Sequence, residues 1–526
     1  MTPLLEYRER FDWKFWGIAL LLTLVGLCLR AYRVFDFGFW TDELSALKQS
    51  NNWDSIRSYC VVWLSSPPMR YILTSVLLHT FYMPELIRLP SLVCGTLATP
   101  IAMVLAKRWW NSRSALWAGL LFALNPWIVA HSQDGRMHVV ALFAILGGAC
   151  LALPPPNRYP RTALLAAGFC LALASSLNYP GVLLSAGIFT AFVANSWKQP
   201  FGKTAKEASL LALPWLAWLI LWFGYLAIAT PHNPIKNALF PAANASVEEK
   251  PEPPAHIELM PLPPRLWTIE FFRFNMRSLL WDGPVRWATL AGVALFVFAG
   301  AGRGAPNLPA RALIFLVPYL LAVIQQPQQF YPRYGLALLS FALLGLAAGL
   351  TWLGRNRRSI GLLFVLVLAV HGPACYRVVT TPPQPWKEAL DYIVERWKRT
   401  DRLLVGTHQA EFGVFLYNAN RIPKQSIVYR VFVGDRLSEE TIDNPNRCWL
   451  IQWFAFPPFV EGIMQKWYER AVVFPGRYGS VEVWKKKNPD EVEVKEGFDV
   501  WGRPIPIPLP SPTPENPLEP DSSAAQ

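Results

Sequence analysis

About a dozen apolar stretches run from Phe15 to Cys375, and the loops between them alternate between Lys/Arg-rich segments and segments that bear acids or aromatic residues. A single globular core has no room for so many apolar runs. With 53% hydrophobic residues and 24 Trp, the chain reads as a polytopic α-helical membrane protein. The net charge of +13 arises from short Lys and Arg clusters between the spans. That is the pattern of cytoplasmic loops facing anionic headgroups, not of a nucleic-acid-binding surface. Cys28, Cys94, Cys150 and Cys170 fall inside apolar segments and no CxxC occurs, so the thiols read as small core residues.

Charge counting sets the expected topology. Arg8, Arg10 and Lys14 precede the first span, which places the amino terminus in the cytoplasm, and no small-residue cleavage site follows, so that span is an anchor. Basic loops at Lys107-Arg108, Arg158 and Arg161, Lys198 to Lys206, Arg303 and Arg311, and Arg355 to Arg358 then fix the rest. The expected spans are roughly 15–32, 88–106, 115–131, 136–154, 161–177, 181–197, 208–228, 286–301, 312–326, 334–353 and 359–376, which makes about eleven crossings with the carboxyl terminus outside. Tyr71 to Met83 is too short for an easy crossing and reads as an interfacial helix within the external loop 33–87, paired with an amphipathic segment at Asp54 to Leu64.

A transmembrane domain is thus expected over 1–380, in the cell membrane. A soluble α/β extracytoplasmic domain is expected over 381–489, with helices at 386–399, 411–418 and 459–470 and strands near 403–406, 427–432, 448–454, 472–474 and 480–484. Residues 490–526 form a Pro-rich tail that reads as disordered, since Pro recurs at 504, 506, 508, 510, 512 and 514. No internal repeat of the kind found in duplicated transporter halves stands out.

On this topology the unusual residues share the external face. Asp42 and Glu43 follow the first span directly. They could supply a general base for an acceptor hydroxyl or part of a divalent-ion ligand set, and Thr41-Asp42-Glu43 equally fits an N-cap with acids in the first helical turn. Gln133-Asp134-Gly135-Arg136 adds a second acid and a guanidinium suited to bidentate phosphate contact, or else a connecting turn whose Arg snorkels to headgroups. Tyr331-Pro332-Arg333-Tyr334 places a cation among aromatic-belt residues. His131 and His138 flank the Asp134 loop and read as ordinary interfacial histidines, because ligand spacing is lacking. No cofactor or metal is expected.

The order of motifs resembles a known family. Asp42-Glu43 is followed by Ser66-Pro67-Pro68-Met69-Arg70-Tyr71, then Glu85 to Ser91, then Ser132-Gln133-Asp134-Gly135-Arg136-Met137, and later Pro332-Arg333-Tyr334 and Pro385 to Ala389. This order is similar to that of the polyprenyl-phosphate-sugar dependent glycosyltransferases of the GT-C superfamily, in the branch of the protein O-mannosyltransferases and the aminoarabinose transferase of lipid A. The resemblance implies inverting transfer of a sugar from a polyprenyl phosphate to a lipid, glycan or protein acceptor on the outer face. It implies Asp42 as base, Glu43 as a contact to acceptor or donor sugar, and Asp134 lining the same cavity. Arg136 and Arg333 are implied at the donor phosphate, with Tyr331 and Arg88 among the donor-binding residues. The chain departs from the family pattern where His-Pro-Pro-Leu appears as Ser66-Pro67-Pro68-Met69, where the small residue after the acid is Gly135, and where a His-Tyr pair appears as Asn178-Tyr179. A lipid-linked sugar transporter or flippase is the rival reading, and a non-catalytic scaffold is a third; a transporter calls for ionisable groups deep within several spans.

Overall fold

The computed structural model describes residues 12–229 apart from 40, 59, 61–66, 82 and 154–159, then 284–298, 306–325 and 336–399 apart from 355, and beyond 400 mainly the strands and a few adjoining positions. The chain divides into two compact units, Met1–Phe37 with Asp42–Thr381, and Gly38–Thr41 with Pro382–Gln526.

The first unit is helical: α1 (Trp13–Ala31), α2 (Thr41–Gln49), α3 (Trp53–Arg57), α4 (Met69–Phe81), a 3-10 turn at Pro84–Arg88, α5 (Leu89–Trp109), α6 (Ser112–Leu124), α7 (Pro126–Ser132), α8 (His138–Ala152), α9 (Arg161–Leu177), α10 (Tyr179–Asn195), α11 (Phe201–Ala229), α12 (Pro284–Phe298), α13 (Leu308–Gln325), α14 (Leu336–Leu353) and α15 (Arg357–Thr380). Among the described residues, Trp13–Ala31, Pro84–Trp109, Phe201–Leu226, Leu336–Leu353 and Arg357–Thr380 are long and apolar enough to cross a membrane, and the bent pair α6–α7 makes a sixth when counted as one span. Helices α8, α9, α10 and Leu308–Pro318 are apolar but shorter. Outward-facing Leu20, Leu21, Ile220, Leu221, Leu362 and Val365 are all well exposed, an arrangement that water disfavours and lipid accepts. This unit is a helical membrane protein.

Its interior is packed through small residues. A Cβ on Gly292 of α12 would lie 2.2 Å from the Ala342 carbonyl oxygen of α14, and one on Gly345 would lie 2.2 Å from the Gly292 oxygen. The two backbones therefore touch, the close approach that holds helices together where lipid removes any hydrophobic drive between them.

The expected straight span over 115–131 is corrected by the structure. Pro126 has no N–H to continue the ladder, and the chain bends by 54° between α6 and α7. Asn125 restarts the helix, its Oδ1 accepting from the Trp127 and Ile128 amides at 3.1 Å each. Two carbonyls freed on the α6 side are satisfied from α1: the fully buried Arg30 donates to Phe122 O at 2.7 Å and Ala123 O at 3.4 Å, and within its own helix to Gly26 O at 2.8 Å. A guanidinium inside an apolar helix is costly unless its donors are occupied, and here the broken ladder occupies them. Arg30 also donates from Nε to Ser132 Oγ at 3.2 Å, which ties the first span to the end of α7.

The second unit carries α16 (Trp386–Glu395) and a five-stranded sheet of β1 (Arg402–Val405), β2 (Ile427–Tyr429), β3 (Cys448–Trp453), β4 (Tyr468–Phe474) and β5 (Val481–Lys486). The order is β2-β1-β3-β5-β4, with β1 parallel to both of its neighbours and β5 antiparallel to β3 and β4. Trp386, Ala389, Leu390 and Ile393, spaced at i, i+3, i+4 and i+7, are completely buried with Leu403, Val405, Trp449 and Ile451 in one apolar cluster. Two expectations are corrected here. The helix expected to reach 399 ends at Glu395, and the helix expected over 459–470 is strand by Tyr468. Tyr468, Glu469 and Arg470 pair with Lys486, Lys485 and Trp484, and a register shift between Arg470 and Val472 hides the period-2 pattern. The tail after residue 490 lies almost wholly outside the described residues.

Candidate functional site

Helix α2 begins at Thr41, so Asp42 and Glu43 sit in its first turn. The two carboxylates have separate surroundings. Glu43 is fully buried, and its carboxylate closes a bidentate pair with Arg88 at the end of the 3-10 turn, Nε to Oε1 at 2.7 Å and Nη2 to Oε2 at 2.6 Å. Arg88 Nη1 donates onward to Val34 O at 2.5 Å and Phe37 O at 2.9 Å. Glu43 Oε1 accepts a third bond from the Gly135 amide at 2.7 Å. Burial pushes the Glu43 carboxyl upward, as does the Asp134 charge, while the Arg88 guanidinium and the Gly135 amide pull it down.

Glu43 and Arg88 thus form a brace that joins the loop after α1, the start of α2, the entry to α5 and the α7–α8 turn. A Cβ at residue 135 would meet Ile87 Cδ1 and Cγ1 at 2.6 Å and Glu43 Oε1 at 3.1 Å, so any side chain there requires Ile87 to move. That contact gives a physical reason for glycine in Gln-Asp-Gly-Arg.

Asp42 lies on the open side of the brace. Its Oδ2 is 2.6 Å from Arg136 Nη1, and the two side chains keep 22% and 11% of their surface. This is a charge pair that a ligand can reach, in contrast to the sealed pair beneath it. The loop carrying Arg136 is fixed residue by residue. Asp134 Oδ1 accepts the Arg136 amide at 2.9 Å, Ser91 Oγ donates to Arg136 O at 2.9 Å, and Gln133 Nε2 donates to Tyr32 O at 2.9 Å. Asp134 Oδ2 faces His131 Nδ1 at 3.5 Å, both side chains being buried.

The His131 and His138 side chains are buried among the neighbouring helices. The His131 ring stacks on Trp127 with centroids 5.2 Å apart and meets His138 edge to face at 5.8 Å. His138 Nδ1 is 3.4 Å from Asn178 Nδ2. The Asn178-Tyr179 departure from the family's His-Tyr pair thus lies against this histidine.

Of the sequence-derived site residues, Asp42, Glu43, Arg88, Asp134 and Arg136 come together in one cluster. Tyr331 and Arg333 lie outside the described residues. Sequence reasoning passed over Arg30, whose signal was a lone cation inside an apolar span, and gave Ser91, the last residue of the Glu85 to Ser91 motif, no role of its own. Among the described residues no three His, Cys, Asp or Glu side chains converge as a metal-ligand set.

This fold and cluster define a helical membrane protein with a partly exposed charged cluster built around the turn that follows its first span. No family model and no curated protein sequence matches the chain. Among solved structures it is similar to the apo oligosaccharyltransferase of Archaeoglobus fulgidus, at 12% identity and a TM-score of 0.46, covering 79% of this chain and 65% of that one. It is also similar to ArnT from Cupriavidus metallidurans bound to undecaprenyl phosphate, at 14% identity and a TM-score of 0.39, covering 92% and 99%. The chain spans less than two thirds of the length of the archaeal enzyme in that apo structure. At these scores the likeness assigns neither chemistry nor site, which the side chains alone have to supply.

Proposed function

We propose that this chain is a membrane glycosyltransferase that moves a sugar from a polyprenyl phosphate to a hydroxyl acceptor with inversion, on the extracytoplasmic face. The observation that carries the reading is the accessible Asp42–Arg136 pair seated on the buried Glu43–Arg88 brace. Asp42 accepts the acceptor hydroxyl proton as the hydroxyl oxygen attacks the anomeric carbon. The bond from that carbon to the phosphate oxygen breaks on the opposite face, and Arg136 stabilises the charge left on the polyprenyl phosphate. A phosphate leaving group needs no proton, so one base and one or more guanidinium groups suffice for the transfer. Arg333 and Tyr331 are further contacts to the donor phosphate. Glu43, Arg88 and Asp134 hold the geometry: the brace fixes α2 against the 134–136 turn, and Asp134 fixes the Arg136 backbone.

The flippase alternative calls for ionisable groups in the spans with capacity left for cargo. Arg30 spends its donors on the Gly26, Phe122 and Ala123 carbonyls and on Ser132 Oγ, and Arg311 Nη1 donates to Phe296 O at 3.0 Å. That leaves His371 of α15, buried with its Nε2 unpaired, as a described span residue to test for transport. The test uses full-length protein in liposomes with a radiolabelled polyprenyl-phosphate sugar and a detergent extract of native membranes as acceptor. Acceptor-dependent release of free polyprenyl phosphate, with label in a new product, is expected. Label crossing the bilayer while still attached to the lipid would replace the transferase with a flippase.

A further inference from the structure

The second unit holds a polar cleft of its own, a cavity of about 400 Å³ bounded by Tyr392, Arg396, Trp449, Glu469, Arg470 and Lys485. Arg396 and Lys485 bring positive charge to it and Glu469 a negative one, while Arg470, paired in register with Trp484 and lying over that ring, carries its guanidinium to the other face of the sheet. The cations are tethered but reachable. The Arg396 guanidinium lies 3.8 Å above the Tyr392 ring and 3.1 Å from Glu395, Lys485 Nζ lies 3.3 Å from Glu469, and Arg470 lies 3.5 Å from the buried Glu482. Exposed pairs of this kind contribute little, so an incoming anion displaces Glu395 and Glu469 at small cost.

The cleft opens on one end of the sheet, and that end is basic. Register places Arg402 beside Cys448 and Lys486 beside Tyr468, in the row next to the Trp449–Lys485 pair. Lys398 and Arg399 precede β1 and Lys487 follows β5, so this end of the sheet carries further cations, although Arg402 and Lys486, one residue off the Trp449–Lys485 row, alternate to the other face. Of the carboxylates nearby, Asp401 is buried and bonded to Trp449 Nε1 at 2.9 Å, and Glu482 is bonded to Trp484 Nε1 at 3.0 Å. The Arg396 guanidinium fork and the Lys485 ammonium at one cavity match a group with several acceptor oxygens spread in three dimensions, which a phosphate monoester has and a carboxylate lacks. The volume accommodates a sugar-sized ligand.

We propose that this cleft binds the phosphate monoester of a phosphorylated sugar, on a soluble molecule or on a lipid headgroup. The proposal stands on the second unit alone and does not depend on the transfer reaction. Full-length protein in phosphatidylcholine nanodiscs is titrated with glucose 6-phosphate and with glucose by calorimetry. Saturable binding of the phosphate ester and none of glucose is expected. The double variant Arg396→Ala/Lys485→Ala is expected to bind about tenfold more weakly or worse, whereas Lys485→Arg and the double variant Lys398→Ala/Arg399→Ala stay within about threefold of the parent. Nanodiscs containing phosphatidic acid separate the sources: competition with glucose 6-phosphate assigns the site to lipid phosphates, and its absence assigns it to soluble ones. Lack of saturable binding overturns the proposal. So does an equal loss on removing Lys398 and Arg399, because that would make the attraction a diffuse property of the whole basic end.

Discussion

Replacing Asp42 by Asn is expected to reduce sugar transfer by about 10²–10⁴-fold while leaving the protein folded, because the amide keeps the shape of the side chain and removes its capacity to accept a proton. Asp42 sits at the accessible edge of the cluster and is ion-paired with Arg136, so the substitution leaves the Glu43–Arg88 brace intact. The loss should appear in kcat with KM for the donor little changed, since the base acts on the acceptor hydroxyl. Initial rates of polyprenyl phosphate release at saturating donor check this. Glu at position 42 should restore part of the rate, as a carboxylate at a displaced position.

Arg88→Ala is expected to have the largest effect on stability, about 3–5 kcal/mol, because it leaves the Glu43 carboxylate buried without its partner. Carbonyl groups at Val34 and Phe37 lose their donor in the same step. Thermal unfolding in detergent, followed by tryptophan fluorescence, checks it. The double variant Glu43→Leu/Arg88→Met should recover much of the loss, since a well-packed apolar pair removes the stranded charge. It should not recover activity, because the Gly135 amide then has no carboxylate to anchor the 134–136 turn. Stability and transfer therefore separate in one pair of proteins.

Much of the helical unit is legible in the sequence, because lipid forces every spanning backbone into a helix and demands apolar side chains along it. The break at Asn125-Pro126 is in the letters too, yet the apolar run passes straight through it and conceals the bend. Arg30 is concealed in the same way, as one cation in a hydrophobic window whose carbonyl partners lie 92 and 93 residues away. In the second unit α16 shows its period clearly, while β4 does not, since the bulge after Arg470 interrupts the alternation and Tyr468 to Arg470 continue an apparent helix.

The site divides along the same line. Acids after the first span and a guanidinium after α7 mark a charged face, and their order carries the family resemblance. What the order does not carry is the division of labour between two adjacent carboxylates. Asp42 and Glu43 differ by one position, and a helix turns that single step into opposite environments, one facing the open edge and one sealed against Arg88. Pairing across 45 residues is a property of the packed fold, so the identification of Glu43 with a brace needs the structure.

A double-mutant cycle on transfer rate tests the central claim most directly, using Asp42→Asn, Arg136→Gln and the combination in the same liposomes. If a carboxylate base and a phosphate-holding guanidinium work on one reacting centre, each single change removes most of the rate and the combination costs far less than the sum of the two. Transfer that survives either single change at parental rate would contradict the account.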